Sequence, residues 1–274
     1  MKKIGLALGS GAARGLAHIG VLEVLQGEGI PIDMISGTSM GAIIGAVYAH
    51  GRNISIITDL VHGLSRRDLI SLTDLLPSRS GLIKGKKITD LLEVVIGSST
   101  RFADLKIPFA CIATDIVTGE EIVINQGSVV DGVRASISIP LLFSAIKWQN
   151  RYLVDGGLVN PVPVNILKTM GADFIIAVNV APNLPVTTRK RKKLRGPGIV
   201  DVIMNTIYIG NSSLVKHSLE GADIRIEPQV RHIGAGDFHR ADDCIIQGKQ
   251  ATQELIPRII QRLESNNKNI RLGS

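Results

Sequence analysis

Aromatic residues make up only 3% of this chain, although hydrophobic residues reach 45%. A core with so few rings is built from Ile, Leu, Val and Ala, the mixture of buried parallel strands and their covering helices, so an α/β architecture is expected and an all-β sandwich is not. Cysteine is nearly absent. Cys111 and Cys244 stand far apart with no metal-ligand partner at close spacing, which argues against a disulfide framework and against a zinc site and points to a reducing compartment. No run of residues approaches the ~18 consecutive apolar positions of a membrane span. Charge of one sign is also scarce outside one place. The net charge is +7, but Arg189, Lys190, Arg191, Lys192, Lys193 and Arg195 lie together in "RKRKKLR", and without them 25 Lys and Arg face 24 Asp and Glu. No aromatic residue interrupts that loop to stack a base, so nucleic acid is not the expected partner; a solvated loop or contact with an anionic membrane surface is.

At 274 residues the chain is long enough for one substantial domain, expected over residues 1–274. "MKKIGLALGSG" has the lysines and short apolar run of a signal peptide, but Gly5, Gly9, Ser10 and Gly11 interrupt the run and Arg14 closes it, so it reads as a first strand. Helical spacing follows in "RGLAHIGVLEVLQGEG", with Gly29 as the stop. A short strand, a glycine-flanked turn and another helix come next. Residues from about 53 to 97 carry amphipathic helical stretches that form an insertion. "PFACIATDIVTGEEIVINQG" alternates and turns at Thr118-Gly119, as a hairpin does. A short helix stopped by Pro140, the strand "YLV", a helix and the apolar strand "FIIAVNV" lead to the basic loop, about 185–198. Beyond it a helix from Val200 to Leu219, the strand "ADIRIEP" and a last helix from Arg240 to Leu263 are expected.

Two glycine motifs invite chemistry. The first, "GSGAARG", fails as a dinucleotide fingerprint, because Arg14 occupies the place of the third glycine, where helix and strand must pack closely. Asp33 imitates the ribose-binding acid but precedes its strand. The second motif, "GTSMG", places Ser39 between Gly37 and Gly41 at a strand-to-helix junction, where a sharp turn exposes a nucleophilic hydroxyl. The plain alternative is a tight turn without chemistry. A nucleophile also needs a base and a place for an oxyanion. The amides of Gly9, Ser10, Gly11 and Ala12, at the start of a helix, can converge on one negative charge. Asp155, at the end of "YLV" and followed by Gly156 and Gly157, is the pointed carboxylate, although Asp-Gly also makes ordinary turns. A Ser-Asp-His order would draw on His217, His232 or His239; His18, His50 and His62 lie on earlier helical stretches.

Together these segments resemble the patatin-like phospholipases, specifically their compact bacterial members. The matching segments are "GSGAARG", "GTSMG", "ASISIP" at Ala135 to Pro140 with Phe143 after it, and "DGG" at Asp155 to Gly157, all in the family's order. The resemblance implies a three-layer α/β fold with a mainly parallel central sheet and helices on both faces. It also implies lipid acyl-ester hydrolysis by a dyad of Ser39 and Asp155 without histidine or cofactor. The loop of Gly9, Ser10, Gly11, Ala12, Arg14 and Gly15 would form the oxyanion hole. Gly37, Thr38, Met40 and Gly41 would form the nucleophile elbow. Many family members carry three glycines where this chain has Ser10-Gly11-Ala12. The expected location is the cytoplasm, with peripheral contact at the inner membrane face through the basic loop. A regulatory or adaptor protein on the same fold is the competing reading.

Overall fold

The first apolar run, Ile4–Leu8, is buried along its whole length because it lies in the middle of a sheet, paired in parallel with a strand on each side. The computed structural model describes residues 2–51, 54–55, 57–59, 85–181 and 199–271. The strands are β1 (Ile4–Leu8), β2 (Met34–Thr38), β3 (Phe109–Asp115), β4 (Glu121–Ile124), β5 (Ile146–Trp148), β6 (Arg151–Asp155), β7 (Phe174–Val178) and β8 (Ile224–Ile226). They form one sheet in the order β5-β6-β3-β2-β1-β7-β8, with β4 also paired to β3. From β3 to β8 that path is parallel throughout; the pairs made by β4, β5 and β6 are antiparallel.

Alternation along the strands divides the core into two layers. Leu6, Leu8, Phe174, Ile176 and Val178 face one side, against the helices Ala17–Gly27, Met40–Gly51 and Ala241–Gln253. Ala7, Ile175 and Ala177 face the other, against the helices Val164–Thr169, Ile199–Gly210 and Ser212–Ser218. The three-layer α/β arrangement is the expected one.

The hairpin turns where the sequence places it, with Gly119 at φ 74°. The first helix ends at Gly27, and Gly29 follows in the left-handed region at φ 68°, which costs a glycine little. Other expectations need correction. The helix expected over Val200 to Leu219 is two helices, interrupted at Asn211 after Gly210, a weak helix former. The last helix is also two, Ala241–Gln253 and Ile256–Arg271; Pro257 cannot supply the amide that would continue the first, but suits the opening turn of the second. The three-residue strand β5 is too short to have shown a pattern. Of the helical insertion, Lys86–Ile96 is helical as expected, whereas residues 60–84 lie outside the described residues. The basic loop, Arg189 to Arg195, lies outside them too. Among the described residues no helix is long and apolar enough to cross a membrane.

Candidate active site

The register of the sheet brings the two key segments together. Thr38, the last residue of β2, pairs with Ile112, and Asp155, the last residue of β6, pairs with Ala113. Because β2 runs parallel to β3 and β6 antiparallel, their carboxyl ends meet at adjacent residues of β3. Ser39 Oγ donates a hydrogen bond of 2.6 Å to Asp155 Oδ2, and the Gly157 amide donates to Asp155 Oδ1 at 2.8 Å. Both side chains are buried, at 4% and 6% exposure. Burial raises the Asp155 pKa to about 6, against the pull of its bonds to Ser39 and Gly157.

Ser39 holds φ at 55°, a strained conformation for a non-glycine residue and one found at functional turns. The turn closes tightly: a Cβ on Gly41 would lie 2.1 Å from the Leu8 carbonyl oxygen, and one on Gly37 would lie 2.5 Å from the Gly41 oxygen. Gly156 is confined in the same way, 2.2 Å from the Ile112 oxygen. Thr38 Oγ1 donates to the Asn160 carbonyl at 2.9 Å and fixes the end of β2. The helix Met40–Gly51 starts directly after Ser39, so its positive end lies beside that hydroxyl.

In the glycine loop, the amides of Gly9, Ser10, Ala13 and Arg14 bond to Val178, Pro161, Ala235 and Gly11 carbonyls. Those of Gly11 and Ala12 have no acceptor among the described residues. Ala12 holds φ at 49°, and only glycine fits at Gly11, where a Cβ would meet Val180 Cγ2 at 2.4 Å. Gly15 provides the close helix contact that Arg14 denies to the preceding position: a Cβ there would stand 2.4 Å from Met40 Cγ. Arg14 is buried and donates from Nε to the Ile233 carbonyl at 2.7 Å, tying the loop to a distant segment. His18 Nε2 lies 2.8 Å from the Gly9 carbonyl, and complete burial lowers its pKa to about 4, so the ring is neutral and donates to that carbonyl.

His217, His232 and His239 are exposed, and the Asp155 carboxylate bonds Ser39 and Gly157 instead; His62 lies outside the described residues. Asp33 accepts the Ile4 amide at 2.7 Å, a structural role at the start of β1. Cys111 and Cys244 are buried and unbridged.

The "ASISIP" segment supports both partners. Ser136 Oγ accepts the Ser39 amide at 3.0 Å, and the Ser138 carbonyl accepts the Asp155 amide at 2.9 Å. Arg134 Nη1 donates to Ser138 Oγ at 2.9 Å, and the Arg134 guanidinium lies 5.0 Å from the Phe143 ring centre. The motif was visible in the sequence, but the roles of Ser136 and Ser138 were not. Nor was the apolar wall beside Ser39 and Asp155. A cavity of about 20 Å3 is lined by Ser10, Ser39, Asp155 and Gly157 together with Ile139, Leu158, Met204, Ile207, Tyr208 and Val215. Asn211 Nδ2 donates to the Gly157 carbonyl at 2.7 Å and joins that wall to the Asp-Gly-Gly turn. A helix with ordinary amphipathic spacing gave no sign of this contact.

Fold and site together define an α/β protein with a strained serine elbow, its hydroxyl bonded to a buried aspartate from a neighbouring strand. The chain belongs to the patatin-like phospholipase family, whose model matches residues 6–168. An uncharacterized NTE family protein of Mycobacterium tuberculosis is 36% identical over 178 residues, covering 65% of this chain and 49% of that protein. A second such protein of that organism is 30% identical over 274 residues, covering 92% of this chain and 46% of its own length. Neuropathy target esterase sws of Drosophila melanogaster is 34% identical over 182 residues, 65% of this chain and 13% of that protein. The chain thus spans about half the length, or less, of these curated relatives. Among solved structures, VipD from Legionella pneumophila shares the fold, with a TM-score of 0.56 at 12% identity over 94% of this chain and 67% of that one.

Proposed function

We propose that this protein is a serine acyl hydrolase of lipid esters that acts through a Ser39–Asp155 dyad and an acyl-enzyme. The observation that carries this reading is the 2.6 Å bond from Ser39 Oγ to a carboxylate whose pKa burial has raised to about 6. An aspartate near its ordinary value of ~4 is a poor base for an alcohol, and one near neutrality is better matched to the task. As Ser39 Oγ attacks the ester carbonyl, its proton passes to Asp155 Oδ2. The oxyanion forms against the Gly11 and Ala12 amides, helped by the dipole of the helix Met40–Gly51. The bond to the alcohol then breaks and the alcohol oxygen takes the proton back from Asp155. Water, deprotonated by the same carboxylate, attacks the acyl carbon; the bond to Ser39 Oγ breaks, that oxygen takes the proton back from Asp155, and the acid is released. Membership of the patatin-like phospholipases and the esterase name of the Drosophila relative support lipid esters as the substrate class.

Intact-mass labelling with a fluorophosphonate tests the dyad. A single adduct is expected on the wild type, none on Ser39→Ala, and a greatly slowed one on Asp155→Ala. No adduct on a folded wild type would overturn the hydrolase reading in favour of an adaptor on the same fold. The six cations from Arg189 to Arg195 supply contact with anionic lipid, at about 1 kcal/mol per cation near such a surface. Their replacement by Gln is expected to weaken binding to phosphatidylglycerol vesicles and to spare hydrolysis of a soluble ester; unchanged vesicle binding would end that idea.

A further inference from the structure

The acyl-transfer scheme employs Ser39, Asp155 and two loop amides, and leaves Tyr208 unused. Tyr208 is 5% exposed and lines the same cavity as Ser39 and Asp155. Its hydroxyl is fully buried and finds no acceptor among the described residues, since the Arg14 guanidinium beside it can only donate. Arg14 packs against the ring, its guanidinium carbon 5.3 Å from the ring centre, and Arg14 Nη1 is likewise without an acceptor. Three residues along, Asn211 bonds to the Gly157 carbonyl, so this part of the helical wall is fixed relative to the turn that carries Asp155. A buried hydroxyl without an acceptor costs stability, and a phenyl ring would fill the same space without that cost. The acceptor is therefore sought in what enters the cavity.

We propose that the Tyr208 hydroxyl is a further catalytic group, donating a hydrogen bond to the leaving alcohol oxygen of the bound ester. This rests on the hydrolase reading. The oxyanion side already has the Gly11 and Ala12 amides, whereas the leaving oxygen has only the proton carried by Asp155. When the tetrahedral intermediate collapses, the carbon–oxygen bond breaks, its electron pair goes to the alcohol oxygen, and that oxygen takes the Asp155 proton. Tyr208 stabilises the developing alkoxide and keeps its own proton. Burial pushes the phenol up to about 12, so it remains a donor throughout the neutral range.

Two esters with one acyl chain test this: p-nitrophenyl octanoate, whose leaving group needs no help, and 1-octanoylglycerol, which leaves as an alkoxide. Tyr208→Phe is expected to lower kcat/KM on octanoylglycerol on the order of 10- to 100-fold, as loss of a transition-state donor does, and to change it less than about threefold on the nitrophenyl ester. The fluorophosphonate adduct on Ser39 is retained and the melting temperature is unchanged or higher. Equal effects on both esters, including none, would overturn the proposal, and equal losses with a lower melting temperature would make the hydroxyl structural. A wild type that cleaves neither ester and takes no fluorophosphonate would remove the hydrolase reading and this inference together. A wild type that does both, with Tyr208→Phe unchanged, would remove this inference alone.

Discussion

Ser39 and Asp155 are separated by 116 residues of chain, yet the hydroxyl of one and the carboxylate of the other are 2.6 Å apart. Asp155 ends β6 opposite Ala113, and Ser39 directly follows Thr38, which ends β2 opposite the adjacent Ile112. The pairing is therefore part of the sheet, and changes to the sheet, the turn or the carboxylate have separate, measurable effects.

The first concerns pH and activity. In the proposed mechanism Asp155 accepts the Ser39 proton only when ionised, and its pKa stands at about 6. For a soluble nitrophenyl ester, kcat/KM is expected to rise with pH through about 6 and then level. A rate limb controlled by a surface carboxylate would instead be complete by about pH 5.

The second concerns pH and stability. The Asp155 pKa is raised from 3.8, so the folded state holds a proton that the unfolded state has lost; the stabilisation is present below the unfolded value and disappears as pH rises through about 6. Ionised Asp155 then costs about 3 kcal/mol at pH 8, at ~1.4 kcal/mol per unit. Asp155→Asn is expected to be inactive and more stable than the wild type at pH 8 by urea denaturation. The advantage shrinks toward pH 4.

His18 acts in the opposite direction. Its pKa is lowered from 6.5 to about 4, so the unfolded state takes up a proton first, and the stability present above the unfolded value is lost as pH falls through about 4. His18→Gln, which keeps a donor for the Gly9 carbonyl, is expected to abolish this acid loss of about 3 kcal/mol. Between about pH 4 and 6 the two groups oppose each other. The wild type is therefore expected to be less pH-sensitive there than either single variant, as read from denaturation midpoints.

Backbone strain at Ser39 is separable from chemistry. Ser39→Ala keeps a Cβ at φ 55°, whereas Ser39→Gly removes it. Both are expected to be inactive, with the glycine variant about 1 kcal/mol more stable than the alanine variant in paired melts.

Gly156→Ala drives a Cβ to within 2.2 Å of the Ile112 carbonyl oxygen, a backbone atom held in the sheet. The junction of β3 and β6 must part, with a loss of about 3 kcal/mol or more and of fluorophosphonate labelling. Gly27→Ala, where nothing lies within 4 Å of the added methyl, is the control and is expected to label normally.

What the sequence by itself determined was local. Apolar runs fixed the central strands, glycine punctuation fixed the hairpin and the end of the first helix, and "GTSMG" fixed a serine on a sharp turn, because hydrophobic period and turn chemistry act over a few residues. "GSGAARG", "ASISIP" and "DGG" could likewise be read as motifs. Their meeting could not. The register on β3 that joins Ser39 to Asp155, the burial that lifts the carboxylate toward neutrality, the exposure of three late histidines and the place of Tyr208 over the cavity all depend on contacts between distant segments. Tertiary structure decided these because strand register and desolvation belong to the packed sheet and are carried by no single stretch of chain.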